Sequence, residues 1–264
     1  MEPKIVVGIP AFNEERSIAS IVTRSLPHAS TVVVIDDGSS DGTSAKALGA
    51  GATVIRHQFN SGKGVAIATL FNFAIQNQAD VLVLLDGDGQ HNPAEIPLLV
   101  NRCLAGDADV VVGSRFHTDA KSSTPRIRRL GQMAFNGMTS MASGVRCSDS
   151  QSGFRAFNRR AFCSMHLTEA SFSVESEMQF EYRTRGLTLS EVPISCSYDL
   201  PPKRNVFSHG MIVLSRLASM AIQRRALGNT PVGALPDAPR MVMHGDRKGE
   251  APAFDSLMVT TPGD

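Results

Sequence analysis

The sequence predicts an α/β protein built on one mostly parallel sheet with helices on its faces. Short apolar runs rich in Val, Ile and Leu recur at 4–9, 31–36, 53–56, 80–85 and 109–113. They do not alternate with polar residues, the pattern of strands buried on both faces. Helical stretches at 15–26, 43–50, 63–78 and 94–105 separate them, and this alternation produces a parallel sheet. Several runs end in polar loops rich in Asp, Asn, Gly and Ser, where an open α/β sheet places its ligands.

The second half reads less regularly. A basic helix is expected at 126–142, an unassigned segment at 151–165, a helix at 174–185, a strand at 189–198 and a helix over 208–226. From Gly228 onward Pro, Gly, Asp and Thr dominate without periodicity, so 228–264 is expected to be a disordered tail behind a single domain of residues 1–227.

With 264 residues, 42% hydrophobic and 19% charged, the chain can bury a substantial core. A formal net charge of +1 supplies no global field towards nucleic acid, and no nucleic-acid partner is expected. Cys103, Cys147, Cys163 and Cys196 are scattered without a Cys-x-x-Cys spacing, so neither a zinc site nor a disulfide framework is suggested. The N-terminus runs into a strand without a signal-peptide core, and no stretch of 18 apolar residues exists. A soluble or peripheral protein is expected.

The chemistry gathers at the ends of the runs. Leu85-Asp86-Gly87-Asp88 closes the fourth strand; in extended chain the two carboxylates would point the same way and share a divalent cation. Hard oxygen ligands suit Mg²⁺ or Mn²⁺, which complete their shells with substrate phosphates. Alone, the tetrad is also an ordinary polar turn. After the first strand, Pro10 and Phe12 precede Asn13 and Glu14, a planar slot for a base with an acceptor at its edge, although Asn13 also reads as a helix cap. The glycine-rich turn of a dinucleotide site is missing there. Asp36 and Asp37 lie side by side and need donors or a ligand. Lys63, on the glycine turn Gly62-Lys63-Gly64 opening a helix, can face an anionic ligand or a carboxylate, but the spacing is not that of a Walker motif.

Taken in order, seven motifs resemble the family 2 glycosyltransferases, specifically the polyprenyl-phosphate glycosyltransferases related to dolichyl-phosphate mannose synthase. They are Ile9-Pro10-Ala11-Phe12-Asn13-Glu14, Asp36-Asp37-Gly38-Ser39-Ser40-Asp41-Gly42-Thr43, Asn60-Ser61-Gly62-Lys63-Gly64, Leu85-Asp86-Gly87-Asp88-Gly89-Gln90-His91, Gly113-Ser114-Arg115-Phe116, Gln151-Ser152-Gly153-Phe154-Arg155-Ala156 and Glu191-Val192-Pro193-Ile194. The resemblance covers 4–215 and looks most like archaeal members that charge dolichyl phosphate. It implies a GT-A fold, a single Rossmann-like sheet with a donor half at 1–115 and an acceptor half at 116–227. It further implies a nucleotide-diphospho-sugar donor and a polyprenyl phosphate acceptor.

On this resemblance Pro10, Phe12, Glu14 and Asp37 form the nucleoside slot and Lys63 belongs to the donor side. Asp86 lies near ribose and metal, and Asp88 and Gln90 are metal-side ligands, with His91 a weaker match. Arg115 and the pair Arg128 and Arg129 resemble acceptor-phosphate arginines, and Arg155, in the loop framing the reacting centre, is a further candidate for holding that phosphate. Lys203 and Arg204 resemble a basic loop closing over the donor diphosphate. Phe12 stands where tyrosine is commoner; stacking survives that change and a phenolic hydrogen bond does not.

A lipid monophosphate is already an anionic nucleophile, so the expected work is alignment and neutralisation rather than strong base catalysis. The family implies inversion at the anomeric carbon. The donor is left between UDP-glucose, UDP-N-acetylglucosamine and GDP-mannose, with the archaeal likeness favouring the uridine sugars. Two other readings stay open: a family 2 transferase extending a glycan or envelope polysaccharide, with Asp149, Glu175 or Glu177 as base, and a non-catalytic sugar-nucleotide binder. The apolar stretch over 206–227, ending near Arg224 and Arg225, serves either as an interfacial helix or as core packing. Attachment at the cytoplasmic face of the membrane is expected, peripheral at most.

Overall fold

The computed structural model describes residues 2–116, 126–170, 173–196 and 258–261, without the side chains of 126–134 and 258–259. The expected helix over 208–226, the 206–227 membrane question and the Lys203–Arg204 loop lie outside the described residues.

Among the described residues eight strands form one sheet: β1 (Ile5–Ala11), β2 (Thr31–Asp36), β3 (Thr53–Arg56), β4 (Val81–Leu84), β5 (Val110–Ser114), β6 (Arg155–Asn158), β7 (Leu189–Pro193) and β8 (Met258–Thr260). Their spatial order is β7-β5-β6-β4-β1-β2-β3-β8. The pairs β4–β1, β1–β2, β2–β3 and β5–β7 are parallel, whereas β6 runs antiparallel to β4 and β5, and β8 antiparallel to β3. The sheet is therefore mixed but mostly parallel, as the sequence leads one to expect.

Seven α-helices are described: α1 (Ile18–Ser25), α2 (Thr43–Gly49), α3 (Lys63–Gln76), α4 (Ile96–Leu104), α5 (Arg126–Ser143), α6 (Arg159–Ser164) and α7 (Val174–Thr184). Two apolar layers explain the unbroken strand runs. Val6, Val33, Ile35, Leu82 and Leu84 face α3, α6 and α7 through Leu70, Phe162, Met178 and Tyr182. Val7, Ile9, Val32, Val34 and Val83 face α1, α2 and α4 through Ile21, Ala47 and Leu99. A strand with helices on both sides has no polar face to show.

Three stretches depart from expectation. The unassigned 151–165 segment supplies β6 and α6, and β6 fills the gap between β4 and β5. Its sequence Arg155-Ala156-Phe157-Asn158 holds no apolar run, and Asn158 caps α6 by accepting from Ala161 N at 2.9 Å. Met258–Thr260, placed by composition in a structureless tail, instead pairs with β3 as an edge strand, because three extended residues suffice to complete an open ladder. β7 also stops at Pro193, short of the expected 198; beyond it Ser195 N donates to Glu95 Oε1 at 2.9 Å. Among the described residues no helix is long and apolar enough to cross a membrane.

Candidate active site

The carboxyl ends of β1, β2, β4 and β5 face one edge of the sheet, and the loops after them are tied to one another. From the β1–α1 loop, Asn13 N donates to Ser39 Oγ at 2.9 Å and Asn13 Oδ1 accepts from Ser40 N at 2.9 Å, while Glu14 N donates to Thr43 Oγ1 at 2.8 Å. Asn13 is thus a clamp between loops rather than a helix cap; α1 begins later, behind Ser17. Ser17 Oγ donates to Gly87 O at 2.6 Å, joining the start of α1 to the Asp86–Asp88 turn. Phe12 remains 39% exposed beyond the end of β1, available for stacking.

The adjacent Asp36 and Asp37 are both buried and both satisfied. Asp36 Oδ1 accepts from Ser39 N at 2.8 Å, and Oδ2 accepts from Ser44 Oγ and pairs with Arg56 at 3.5 Å. Asp37 accepts from Ser61 N at 2.9 Å and Gly62 N at 2.8 Å and lies 2.7 Å from His57 Nδ1. Of the roughly four acceptor positions of a carboxylate, these occupy three. Asp37 therefore shapes the 57–62 loop and keeps one lone pair beyond those contacts.

That loop delivers Lys63. Gly62 sits at φ +101°, a backbone that an L side chain rarely adopts, and turns the chain into α3 with Lys63 as its first residue. Lys63 Nζ lies 2.6 Å from Asp86 Oδ1 and 2.7 Å from Glu175 Oε1. Burial alone would lower the Lys63 pKa, but the two carboxylates outweigh it and raise it. In turn, burial works to raise the Asp86 carboxyl, and Lys63 overrides it and holds the group below the ordinary carboxylate range. Gly153 lies against the other side of Asp86, so close that an added Cβ would run into all three carboxyl atoms.

Asp88 does not continue an extended strand. β4 ends at Leu84, Gly87 and Asp88 form a turn, and Asp88 Oδ1 accepts from Gln90 N at 3.0 Å. The expectation that the two carboxylates share a side through strand alternation is corrected accordingly: a side-chain turn of this kind brings the chain back on itself. Asp86, Asp88 and Gln90 follow one another on the chain just past the end of β4. Among the described residues no cluster of three His, Cys, Asp or Glu could cage a metal ion. Two carboxylates with an amide fit Mg²⁺ or Mn²⁺ that draws its other ligands from substrate phosphates. His91 is buried, its Nε2 stands 4.0 Å from Asp86 Oδ2, and Nδ1 has no hydrogen-bond partner among the described residues. Burial pushes this imidazole down to about 4, so at neutral pH it is uncharged and the contact is not an ion pair.

Just past β5, Arg115 is held by Asp149 through a two-pronged pair, Nε to Oδ2 at 2.7 Å and Nη2 to Oδ1 at 2.8 Å. Asp149 is fully buried and also accepts from Arg115 N at 3.1 Å. Asp149→Ala should lower stability by about 3 kcal/mol, the low end for a buried pair losing one partner because Arg115 is partly exposed. Chemical denaturation measures it, and a loss under about 0.5 kcal/mol, the level of an ordinary surface change, would show the pair to be marginal.

Arg155 is a correction. The resemblance sets it among the phosphate-holding arginines, yet its guanidinium is buried inside the fold. It donates to Ser152 O at 2.8 Å, Ser150 O at 2.6 Å and Tyr182 Oη at 2.8 Å. Its planar fork fits the carbonyls of the 150–153 loop, so it holds up the loop that carries Gly153. The side chains of Arg128 and Arg129, at the start of α5, lie outside the described residues, as do Lys203 and Arg204. A concavity of about 790 Å³ lies elsewhere: Lys4, Gln76, Asn77, Asp80 and Arg159 line it at the amino ends of β1 and β4, the wrong end of the sheet for a ligand.

Compared with known proteins, residues 6–164 match the family model described as glycosyl transferase family 2. The chain belongs to this family. The transferase is 32% identical over 229 residues to glycosyltransferase AglJ of Haloferax volcanii, covering 86% of this chain and 74% of that protein. It is 30% identical over 215 residues to the UDP-N-acetylglucosamine–dolichyl-phosphate N-acetylglucosaminyltransferase of Methanococcus voltae, covering 74% and 86%. Among solved structures, glucosyl-3-phosphoglycerate synthase from Mycobacterium tuberculosis, in complex with Mn²⁺, UDP-glucose and phosphoglyceric acid, superposes with a TM-score of 0.67 at 22% identity, covering 83% of this chain and 80% of that one. The fold is GT-A.

Two contacts of the transferase's site had no announcement in the sequence. Glu175 as the second partner of Lys63 and Ser17 as the tie to Gly87 both join residues far apart in the chain, and no local spacing encodes them.

Proposed function

We propose that this family 2 transferase is an inverting, metal-dependent hexosyltransferase that moves a sugar from a nucleoside diphosphate sugar to a polyprenyl phosphate of the dolichyl type, for protein or cell-surface glycosylation. The observation that carries the reading is the state of the three carboxylates a hydroxyl acceptor would need as base. Asp149 is occupied by Arg115 and Glu175 by Lys63; Glu177 accepts from Thr168 N at 2.9 Å, Thr168 Oγ1 at 2.6 Å and Glu169 N at 3.0 Å. An acceptor that arrives as a phosphate anion needs none of them. The name of the Methanococcus voltae relative supports the same acceptor class and a UDP-N-acetylglucosamine donor; UDP-glucose and GDP-mannose are the alternatives.

In this reading Phe12 and Pro10 flank the nucleoside, and Asp37 and Glu14 meet its polar edges. Lys63 fixes Asp86 at the ribose side. Mg²⁺ or Mn²⁺ held by Asp86, Asp88 and Gln90 would supply positive charge to the leaving diphosphate. Lys203 and Arg204 add positive charge to the same group, and Arg115, Arg128 and Arg129 orient the acceptor phosphate. Its oxygen forms the new bond to the anomeric carbon as the bond to the diphosphate oxygen breaks on the opposite face. The acceptor brings the enzyme to the cytoplasmic face of a membrane, as a peripheral protein.

Incubating the protein with polyprenyl phosphate vesicles, Mn²⁺ and each labelled sugar nucleotide, then extracting the lipid, tests the proposal. Label should enter the lipid fraction from one donor; label entering only a polysaccharide or protein fraction would instead favour glycan extension. Arg129→Ala should raise the KM for lipid phosphate at least about fivefold, the scale of one charge-assisted hydrogen bond, with donor affinity by calorimetry changed less. A large loss of donor affinity with unchanged lipid dependence would reverse that assignment.

A further inference from the structure

Lys63 stands between two carboxylates that come from opposite halves of the chain. Asp86 follows β4, whereas Glu175 sits in the first turn of α7. The side chains of Lys63, Asp86 and Glu175 are 15%, 25% and 6% exposed, so water is largely excluded and the ammonium is shared between its two neighbours. With Pro10, Gly153 and Arg155 they line a cavity of only about 10 Å³, too tight for the three to rearrange freely.

We propose that Glu175 is a positioning residue for sugar transfer, acting on Asp86 through Lys63. By taking one side of the ammonium, Glu175 sets where Nζ lies and leaves the cluster with a surplus negative charge, which Asp86 presents at the ligand edge. Without that charge Lys63 belongs to Asp86 alone and neutralises it. Glu175 thereby links α7, in the acceptor half, to the donor-side carboxylate. The inference rests on the reading of Asp86 as a donor-side group.

Calorimetry with UDP plus Mn²⁺ and GDP plus Mn²⁺ tests it on wild type, Glu175→Gln, Lys63→Met, the double variant and Asp86→Asn. For the nucleotide that wild type binds, Glu175→Gln should weaken affinity about fivefold or more, and the double variant should bind within about twofold of Lys63→Met alone, as expected for residues acting as one unit. Unchanged affinity in Glu175→Gln, or losses that multiply in the double variant, would overturn the proposal, since a merely structural role predicts independent effects. If Glu175→Gln fails to fold, Glu175→Asp, which retracts the carboxylate by one methylene, replaces it in the same cycle with the same expectation. A weakened Asp86→Asn beside an unaffected Glu175→Gln removes the role of Glu175 only; an unaffected Asp86→Asn removes the donor-side reading beneath it.

Discussion

Asp88→Asn is expected to cut transfer more than tenfold, over ~1.4 kcal/mol of barrier, while leaving melting and circular dichroism as in wild type. The separation follows from how the residue is held. β4 is buried along its whole length and ends at Leu84, before the turn in which Asp88 Oδ1 accepts from Gln90 N at 3.0 Å. Asparagine keeps an oxygen for that hydrogen bond, so the turn survives, and loses the charge that a hard cation requires. Initial rates at saturating donor, with Mn²⁺ titrated, give the answer. A variant that retains more than about a tenth of the wild-type rate removes Asp88 from the metal site.

The strands and helices on either side of this turn were readable because burial on both faces writes itself as unbroken Val-Ile-Leu runs: β2 and β3 match their expected limits, and α3 and α7 begin where the periodicity places them. β6 was not readable, since Arg155-Ala156-Phe157-Asn158 becomes a strand only by pairing with β4 and β5 on either side. The site divides along the same line. Asp86, Asp88 and Lys63 announce themselves by residue type next to a strand end or a glycine turn. Arg155 misled because a sequence displays its charge and not its burial; the guanidinium that looked available to a phosphate is spent on Ser150, Ser152 and Tyr182. Glu175 could be seen as an acid but not paired, because its contact with Lys63 exists only once the fold brings the first turn of α7 to the first residue of α3.

Gly153→Ala should be nearly as damaging as loss of the metal-side carboxylate, although a single methyl is added to a residue that bears no functional group. The backbone there is not left-handed, so alanine is conformationally permitted, and the entire effect must come through what the methyl meets. It meets the carboxyl group of Asp86, which can retreat only by giving up its 2.6 Å pairing with Lys63 or by forcing the 150–153 loop off the carbonyl contacts that Arg155 maintains. Either movement misplaces Asp86, the donor-side anchor of the proposed function, and displacements of about 1 Å cost on the order of 10²-fold in rate. The expected outcome is therefore a fall of about 10²-fold in kcat/KM, roughly 2.7 kcal/mol, with a stability loss of about 1–3 kcal/mol from overpacking. Adding Asp86→Ala to Gly153→Ala should recover much of the stability and none of the activity, because it removes the atoms the methyl strikes. Full activity in Gly153→Ala would mean that Asp86 is free to shift without consequence, and that its position against the 150–153 loop is not what orients the donor.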